Sequence, residues 1–199
     1  MISTSPLTLE GRTIRLRAMS PGDVTPLCDV ALDPDLWLNT TTILRSRRDV
    51  ETYVQAALNW QSAGTAVPFV TVVKKDNRIV GSTRFANIDV SNRRVEIGWT
   101  WIAKPWQRTF VNTEAKYLML RHAFEIWKCA RVELKTGSKN LQSRNAILRL
   151  GAREEGTLRK HMILGSGEWR DTVYYSILDS EWEDAKKKLE EKMEEKKPR

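Results

Sequence analysis

Near Pro105 the apolar residues of this chain change their spacing from every second position to a helical repeat within one short loop. Upstream, Arg94 to Ile102 alternates as a strand. Downstream, Ala115, Leu118, Met119, His122, Ala123, Ile126 and Trp127 fall on one stripe of a 3.6-residue period. A strand that runs straight into a helix exposes the helix's first turn beside the strand's carboxyl end. The N–H groups of that turn lack partners and carry the positive end of the helix dipole, so the corner suits an anion such as a diphosphate. Gln107, Arg108, Thr109, Asn112 and Thr113 add side-chain donors there. The same residues also read as an ordinary helix start with Asn112 as its cap.

The remaining periodicity is consistent with that picture. Strands are expected at Arg12–Arg17, Pro68–Lys74, Arg78–Ala86, Arg131–Thr136, Glu154–Ile163 and Trp169–Leu178. Val24, Leu27 and Ala31 are spaced as a helix, a second helix is expected over Arg48–Ser62, and a third over Asn140–Leu150 ends at Gly151. The order β-α-α-β-β-β-α-β-α-β-β-α, without repeats or linkers, predicts a mixed α/β (α+β) fold. One domain over residues 1–199 is expected, with its core at about 9–182 and a charged C-terminal helix or tail over 183–199.

Composition narrows the class. The chain has 199 residues, enough for one full hydrophobic core, and no apolar run long enough to cross a bilayer. Met1 to Glu10 lacks the pattern of a signal peptide, and Cys28 and Cys129 lie far apart without metal-site spacing, so both read as reduced core cysteines. A cytoplasmic protein without a metal is expected. The net charge of +8 suits solubility, nucleic acid or a polyanionic small molecule, and part of it belongs to the alternating Lys and Glu blocks after Lys186. The eight Trp residues invite a base-stacking reading. Trp99, Trp101, Trp106 and Trp127 fall within regular elements near the expected core, where burial explains them more simply, while Trp37, Trp60 and Trp169 are candidates for an acceptor pocket or a dimer surface.

Six segments together carry a family resemblance. They are Leu9-Glu-Gly-Arg-Thr-Ile-Arg-Leu-Arg17, Val95-Glu-Ile-Gly-Trp-Thr-Trp101, Gln107-Arg-Thr-Phe-Val-Asn-Thr-Glu-Ala-Lys116, Arg131-Val-Glu-Leu-Lys-Thr136, Asn140-x-x-Ser143 and Arg170-Asp-Thr-Val-Tyr-Tyr-Ser176. In order and spacing they resemble the GNAT superfamily of N-acetyltransferases, in the subgroup similar to ribosomal-protein N-acetyltransferases. The resemblance implies a splayed mixed central sheet flanked by helices, acetyl-CoA as co-substrate, and a primary amine as acceptor, either a protein N-terminus or a small amine.

By position, the resemblance puts the phosphate loop on Gln107, Arg108, Thr109, Phe110, Val111 and Asn112, with Thr113 following. Phe110 and Asn112 stand where the family pattern has small residues. The strand end at Trp101, Ile102 and Ala103 is expected to offer backbone groups to the pantetheine amides, and Asn140 to contact the same arm. The family's proton-donating Tyr falls on Ile147, which has no proton to give, and the resemblance to ribosomal-type members implies that Ser143 holds the role instead. Glu96 is the first candidate for the base that deprotonates the amine, and Tyr174 and Tyr175 stand behind it, one on each side of the last strand so that one of them is expected in the core. Glu96 also reads as a surface carboxylate paired with Arg94 or Arg131, Ser143 as a capping hydroxyl, and His122 as a satisfied core histidine. His161 is a candidate for the acceptor mouth. A non-catalytic acyl-CoA-binding module is the alternative reading. No nucleic-acid or membrane partner is expected, and a homodimer is among the expected assemblies.

Overall fold

The computed structural model describes residues 2–195. Its strands are β1 (Leu9–Glu10), β2 (Ile14–Ala18), β3 (Val67–Val73), β4 (Arg78–Asp89), β5 (Arg94–Ile102), β6 (Arg131–Gly137), β7 (Arg153–Ile163) and β8 (Trp169–Leu178). The helices are α1 (Val24–Ala31), α2 (Arg47–Ser62), α3 (Phe110–Arg121), α4 (Leu141–Leu148) and α5 (Trp182–Glu195). The strands form one sheet in the order β1-β2-β3-β4-β5-β6-β8-β7. Only β5 and β6 run parallel, because α3 lies between them as a crossover.

Each sheet face has its own core. On one side β2, β3, β4 and β5 give Leu16, Phe69, Phe85 and Ile97 to a cluster closed by Val111, Ala115 and Met119 of α3 and Leu189 of α5. On the other, Val70, Val72, Ile79 and Trp101 pack under Leu27 and Ala31 of α1 and Val50, Tyr53, Val54 and Ala57 of α2. Each fully buried Leu, Val, Ile or Phe contributes about 1.5–3 kcal/mol. The entry to α2 is fixed by a capping box, with Ser46 Oγ accepting from Asp49 N–H and the Asp49 carboxylate accepting from Ser46 N–H.

The mixed α/β order expected from the sequence is present, with departures that have physical causes. The expected strand at Arg12–Arg17 starts at Ile14, because Gly11–Thr13 forms a turn behind the added strand β1. That turn is held by the buried carboxylate of Glu114 in α3, which accepts from the N–H groups of Arg12 and Thr13 and from the Thr13 hydroxyl. The helical stripe expected to continue to Trp127 loses its period at His122–Ile126, where the chain widens into a π turn and leaves Ile126 62% exposed. His122 is consequently half-buried with no partner for Nε2 among the described residues, rather than satisfied in the core. Trp37 is buried, with its indole N–H on the Ala31 carbonyl, so it belongs to the core and not to a pocket. Trp99 and Trp106 are half-buried, as is Cys28, whereas Cys129 is fully inside.

Candidate functional site

The sheet is open at its one parallel junction. β5 and β6 register at Arg94↔Arg131, Val95↔Val132 and Glu96↔Glu133 and then separate. Beyond that point β6 stays with β8 as far as Gly137↔Thr172, while β5 stays with β4. A bulge produces the divergence: Arg84 faces Gly98, but Ser82 faces Trp101, so β5 carries an extra residue. Trp99 takes a φ of 48° there. An extra residue bends its strand, and here it bends β5 away from β6. A wedge opens just after Glu96, with the amino ends of α3 and α4 at its wide end.

Backbone polarity in the wedge follows from the ladder. Ala103 N–H donates to the Val80 carbonyl at 2.8 Å, which turns the polar groups of Ile102, one residue earlier, towards the open side. The Ile102 carbonyl accepts from Gln107 Nε2 at 3.0 Å, leaving its N–H facing the wedge. Of the three residues expected at this strand end, only Ile102 presents backbone to the opening. Trp101 points its side chain inward, its indole N–H on Tyr53 Oη at 3.3 Å.

The loop between β5 and α3 is built around Arg108, whose φ of 60° is a conformation glycine more often supplies. Thr109 caps α3: its hydroxyl accepts from Val111 N–H at 3.3 Å and donates to the Trp106 carbonyl at 2.7 Å. Thr109, not Asn112, is therefore the cap, because Thr109 holds the extended backbone that a cap needs and Asn112 already lies inside the helix. As first-turn residues, Phe110 and Asn112 leave their N–H groups without intrahelical acceptors. The Phe110 ring packs edge-on to Trp106 at 6.4 Å and lines a crevice with Arg12, Thr13 and Glu114. Its bulk is thus directed away from those N–H groups. Asn112 Oδ1 is buried without a partner among the described residues. Gln142 of α4 reaches across to Gln107 Oε1 at 3.3 Å and ties the two helix starts together.

On the α4 side, Asn140 Oδ1 accepts from Ser143 N–H at 3.0 Å, so Asn140 is the cap and Ser143 is not. Ser143 is half-buried and its hydroxyl has no partner among the described residues. Ile147 is buried in the core.

At the narrow end of the wedge two carboxylates stand side by side, and each has its own cations. Glu133 takes Arg131 at 2.8 Å and Arg94 at 3.4 Å. Glu96, only 3% exposed, takes Lys135 at 2.8 Å and Asn87 Nδ2 at 2.7 Å, both on Oε2. The expected pairing of Glu96 with Arg94 or Arg131 at the surface is therefore replaced by a buried one, because those arginines close on Glu133. Oε1 of Glu96 stays free of these bonds and lies over Gly98, where an added Cβ would come within 2.9 Å of it. Tyr174 pairs with Lys135 across β8 and β6 and lines, with Glu96 and Lys135, a cleft of about 790 Å³. Its neighbour Tyr175 faces the core. His161 is exposed and stands edge-on to Tyr174 at 5.8 Å.

Sequence reasoning missed two buried cations beside this wedge. Lys116 of α3 donates to Thr83 Oγ1 at 3.2 Å and to Thr100 Oγ1, and burial pulls its pKa down to about 7. The signal was present, since Lys116 lies one turn from Met119 and two turns from Ala123 on the apolar side. Arg84 of β4 is 1% exposed, and an arginine in the interior of the strand, next to Phe85, was the available clue. Among the described residues no cluster of His, Cys, Asp and Glu suits a metal, and no helix is long and apolar enough to cross a membrane.

Comparison with known proteins agrees with this architecture. Residues 13–153, more than two thirds of the chain, match the family described as an acetyltransferase (GNAT) domain. A Bacillus subtilis protein named "Putative ribosomal N-acetyltransferase YdaF" is 36% identical over 111 residues, which span 56% of this chain and 60% of that protein. A Bacillus licheniformis protein, "Uncharacterized N-acetyltransferase p20", is 28% identical over 88% of this chain and 98% of its own length. Among solved structures, a GCN5-related N-acetyltransferase from Brucella melitensis superposes with a TM-score of 0.85 at 25% identity, covering 95% of this chain and 86% of that one. RimJ of Mycobacterium smegmatis, solved in complex with CoA-disulfide, shares the fold with a TM-score of 0.82 at 23% identity, over 96% of this chain and 97% of that one.

Proposed function

This chain belongs to the GNAT family of acetyltransferases, and from that premise we propose that it moves acetyl from acetyl-CoA to a primary amine by direct attack, with both substrates bound together. The observation that carries the reading is the wedge between β5 and β6, which opens immediately after Glu96 and ends at the first turn of α3. A relative named as a ribosomal N-acetyltransferase supports an N-terminal or similar amine as acceptor.

Acetyl-CoA supplies the acetyl group as a thioester. The residues present suit its parts. The free N–H groups of Phe110 and Asn112, with Arg108, Gln107, Thr109 and Thr113, hold the diphosphate at the positive end of α3. Ile102 N–H, beside Trp101 and Ala103, and the amide of Asn140 orient the pantetheine arm along the open strand. The bulged backbone at Trp99 offers an N–H to the carbonyl oxygen on which negative charge develops. Glu96 Oε1 accepts the proton of the attacking amine, with Lys135 and Asn87 fixing the carboxylate through Oε2. Ser143 returns a proton to the departing thiolate, and Tyr174 lines the acceptor side. A panel of amines assayed for free thiol released from acetyl-CoA tests the reading. Amine-dependent release above the rate with water supports it, and release that no amine accelerates contradicts it.

A further inference from the structure

Arg84 is a buried cation with no hydrogen-bond or ion-pair partner among the described residues. It projects from β4 opposite Gly98, on the same sheet face as Glu96. The rings of Tyr53, Trp60 and Trp99 stand 4.9, 5.1 and 5.2 Å from its Cζ and enclose the guanidinium. Rings satisfy the charge from its faces but accept nothing from the in-plane N–H fork. Nε and Nη2 are both shut off from solvent and have no hydrogen-bond partner among the described residues. The acid two steps along the same face, Glu96, spends Oε2 on Lys135 and Asn87. Trp60 forms the outer wall of the cage and is 38% exposed, standing edge-on to Trp99 at 5.1 Å. Trp60 is thus the most exposed of the three rings that cover the fork, Trp99 being half-buried and Tyr53 buried.

We propose that Arg84 is the specificity-determining residue for a carboxylate on the acceptor, so that the amine acetylated is a free amino acid or a peptide whose first residue is acidic. Nε and Nη2 together form the side-on edge that meets a planar carboxylate with two parallel hydrogen bonds. A carboxylate seated there lies across the strand pair from Gly98, over which the free oxygen of Glu96 is placed. Acid and amine of the acceptor are therefore separated by only a few bonds. The inference rests on the acetyltransfer reading and adds the acceptor class to it.

The test uses amino acids paired with their own amides, including glutamate with its amides, read in two ways. In the thiol-release assay the acid is favoured over the amide by at least ~10-fold in kcat/KM, as for a site whose polar group is left unpaired by the analogue. In a titration followed by tryptophan emission, without acetyl-CoA, the acid gives a saturable change through Trp60 and Trp99 and the amide gives none. Arg84→Met abolishes both preferences, and Arg84→Lys retains part of them. The melting temperature of Arg84→Met holds or rises, because the substitution removes an unpaired buried charge; a purely structural arginine would lower it. Equal response to acid and amide, or a preference that survives Arg84→Met, overturns the inference. Failure of the wild-type protein to bind acetyl-CoA counts against the underlying reading instead, and the emission titration still judges Arg84.

Discussion

The two faces of the β4–β5 pair each bury a cation, and they treat it differently. Thr83 and Thr100 point towards α3, where their hydroxyls receive Lys116. Their neighbours Arg84 and Trp99 point the other way, and the Arg84 guanidinium lies against aromatic rings with no hydrogen-bond partner for Nε or Nη2 among the described residues. Lysine can shed its proton when burial makes the charge expensive, and Lys116 does so near neutrality, its pKa pulled down to about 7. Arginine has no such escape, since its guanidinium stays protonated in any protein environment. Lys116 therefore finds its acceptors within the fold, whereas the Nε and Nη2 of Arg84 find none among the described residues. A buried polar group left unsatisfied in the native state calls for an explanation, and the one proposed for Arg84 is a carboxylate on the acceptor.

The contrast can be broken most forcefully at the carboxylate on the unsatisfied face. Glu96→Gln keeps the shape and the Asn87 neighbourhood but removes the proton acceptor, so kcat falls by roughly 10²–10⁴-fold while acetyl-CoA affinity is retained. Parallel stopped assays and calorimetry separate the two effects. A variant that retains full kcat would remove Glu96 from the chemistry.

Lys116→Met sharpens the other side of the comparison through stability. Burial depresses the folded pKa of Lys116 from 10.5 to about 7, so above pH 7 the unfolded chain holds a proton that the native chain lacks. Stability from this residue therefore rises as the pH climbs from about 7 towards 10.5, and below pH 7 its full cost is present. Lys116→Met gains about 1–3 kcal/mol at pH 7 in denaturant unfolding and loses that alkaline rise. A destabilised variant would show that the two threonine bonds outweigh the charge.

Smaller effects belong to the wedge's rim and to the π turn. Asn140→Ala removes the cap of α4 and costs about 1 kcal/mol of stability. It also weakens acetyl-CoA binding, whereas a purely capping role would leave the affinity intact. His122→Phe is worth less still, within about 0.5 kcal/mol at pH 7, because the ring keeps its contacts with Phe85 and Trp127 and loses an Nε2 that has no partner. Burial lowers the pKa of His122, so in the wild type it loses stability as the pH falls below 6.5, and the Phe variant is more acid-resistant.

Much of this was legible in the sequence because periodicity reports burial. Arg94–Ile102 begins and ends where alternation placed it, whereas the helix expected to reach Leu150 ends at Leu148 with Arg149 as its cap, and Gly151, with a φ of 93°, lies in the turn beyond. The change of period near Pro105 located the wedge's wide end. What stayed hidden depends on contacts distant in sequence. Glu114 holds the Gly11–Thr13 turn from more than a hundred residues away, and nothing local to either segment announces it. The bulge at Trp99 arises from the register of two strands, and a glycine-like φ at Arg108 and Trp99 has no residue-type signal. Glu96 was recognised as a candidate, but its burial and its Lys135 partner follow from the β5–β6 register, which a single sequence does not reveal.

Acetyl transfer by this chain requires that the wedge and the first turn of α3 bind acetyl-CoA. A calorimetric titration of the purified protein with acetyl-CoA, with desulfo-CoA as comparison, tests it most directly. Saturable, micromolar binding of one acetyl-CoA per chain is expected, with desulfo-CoA competing for the same site. Absence of saturable heat across that range would contradict it: the turn at Gln107–Asn112 would not be a phosphate site, and the wedge would have to serve something other than acetyl transfer.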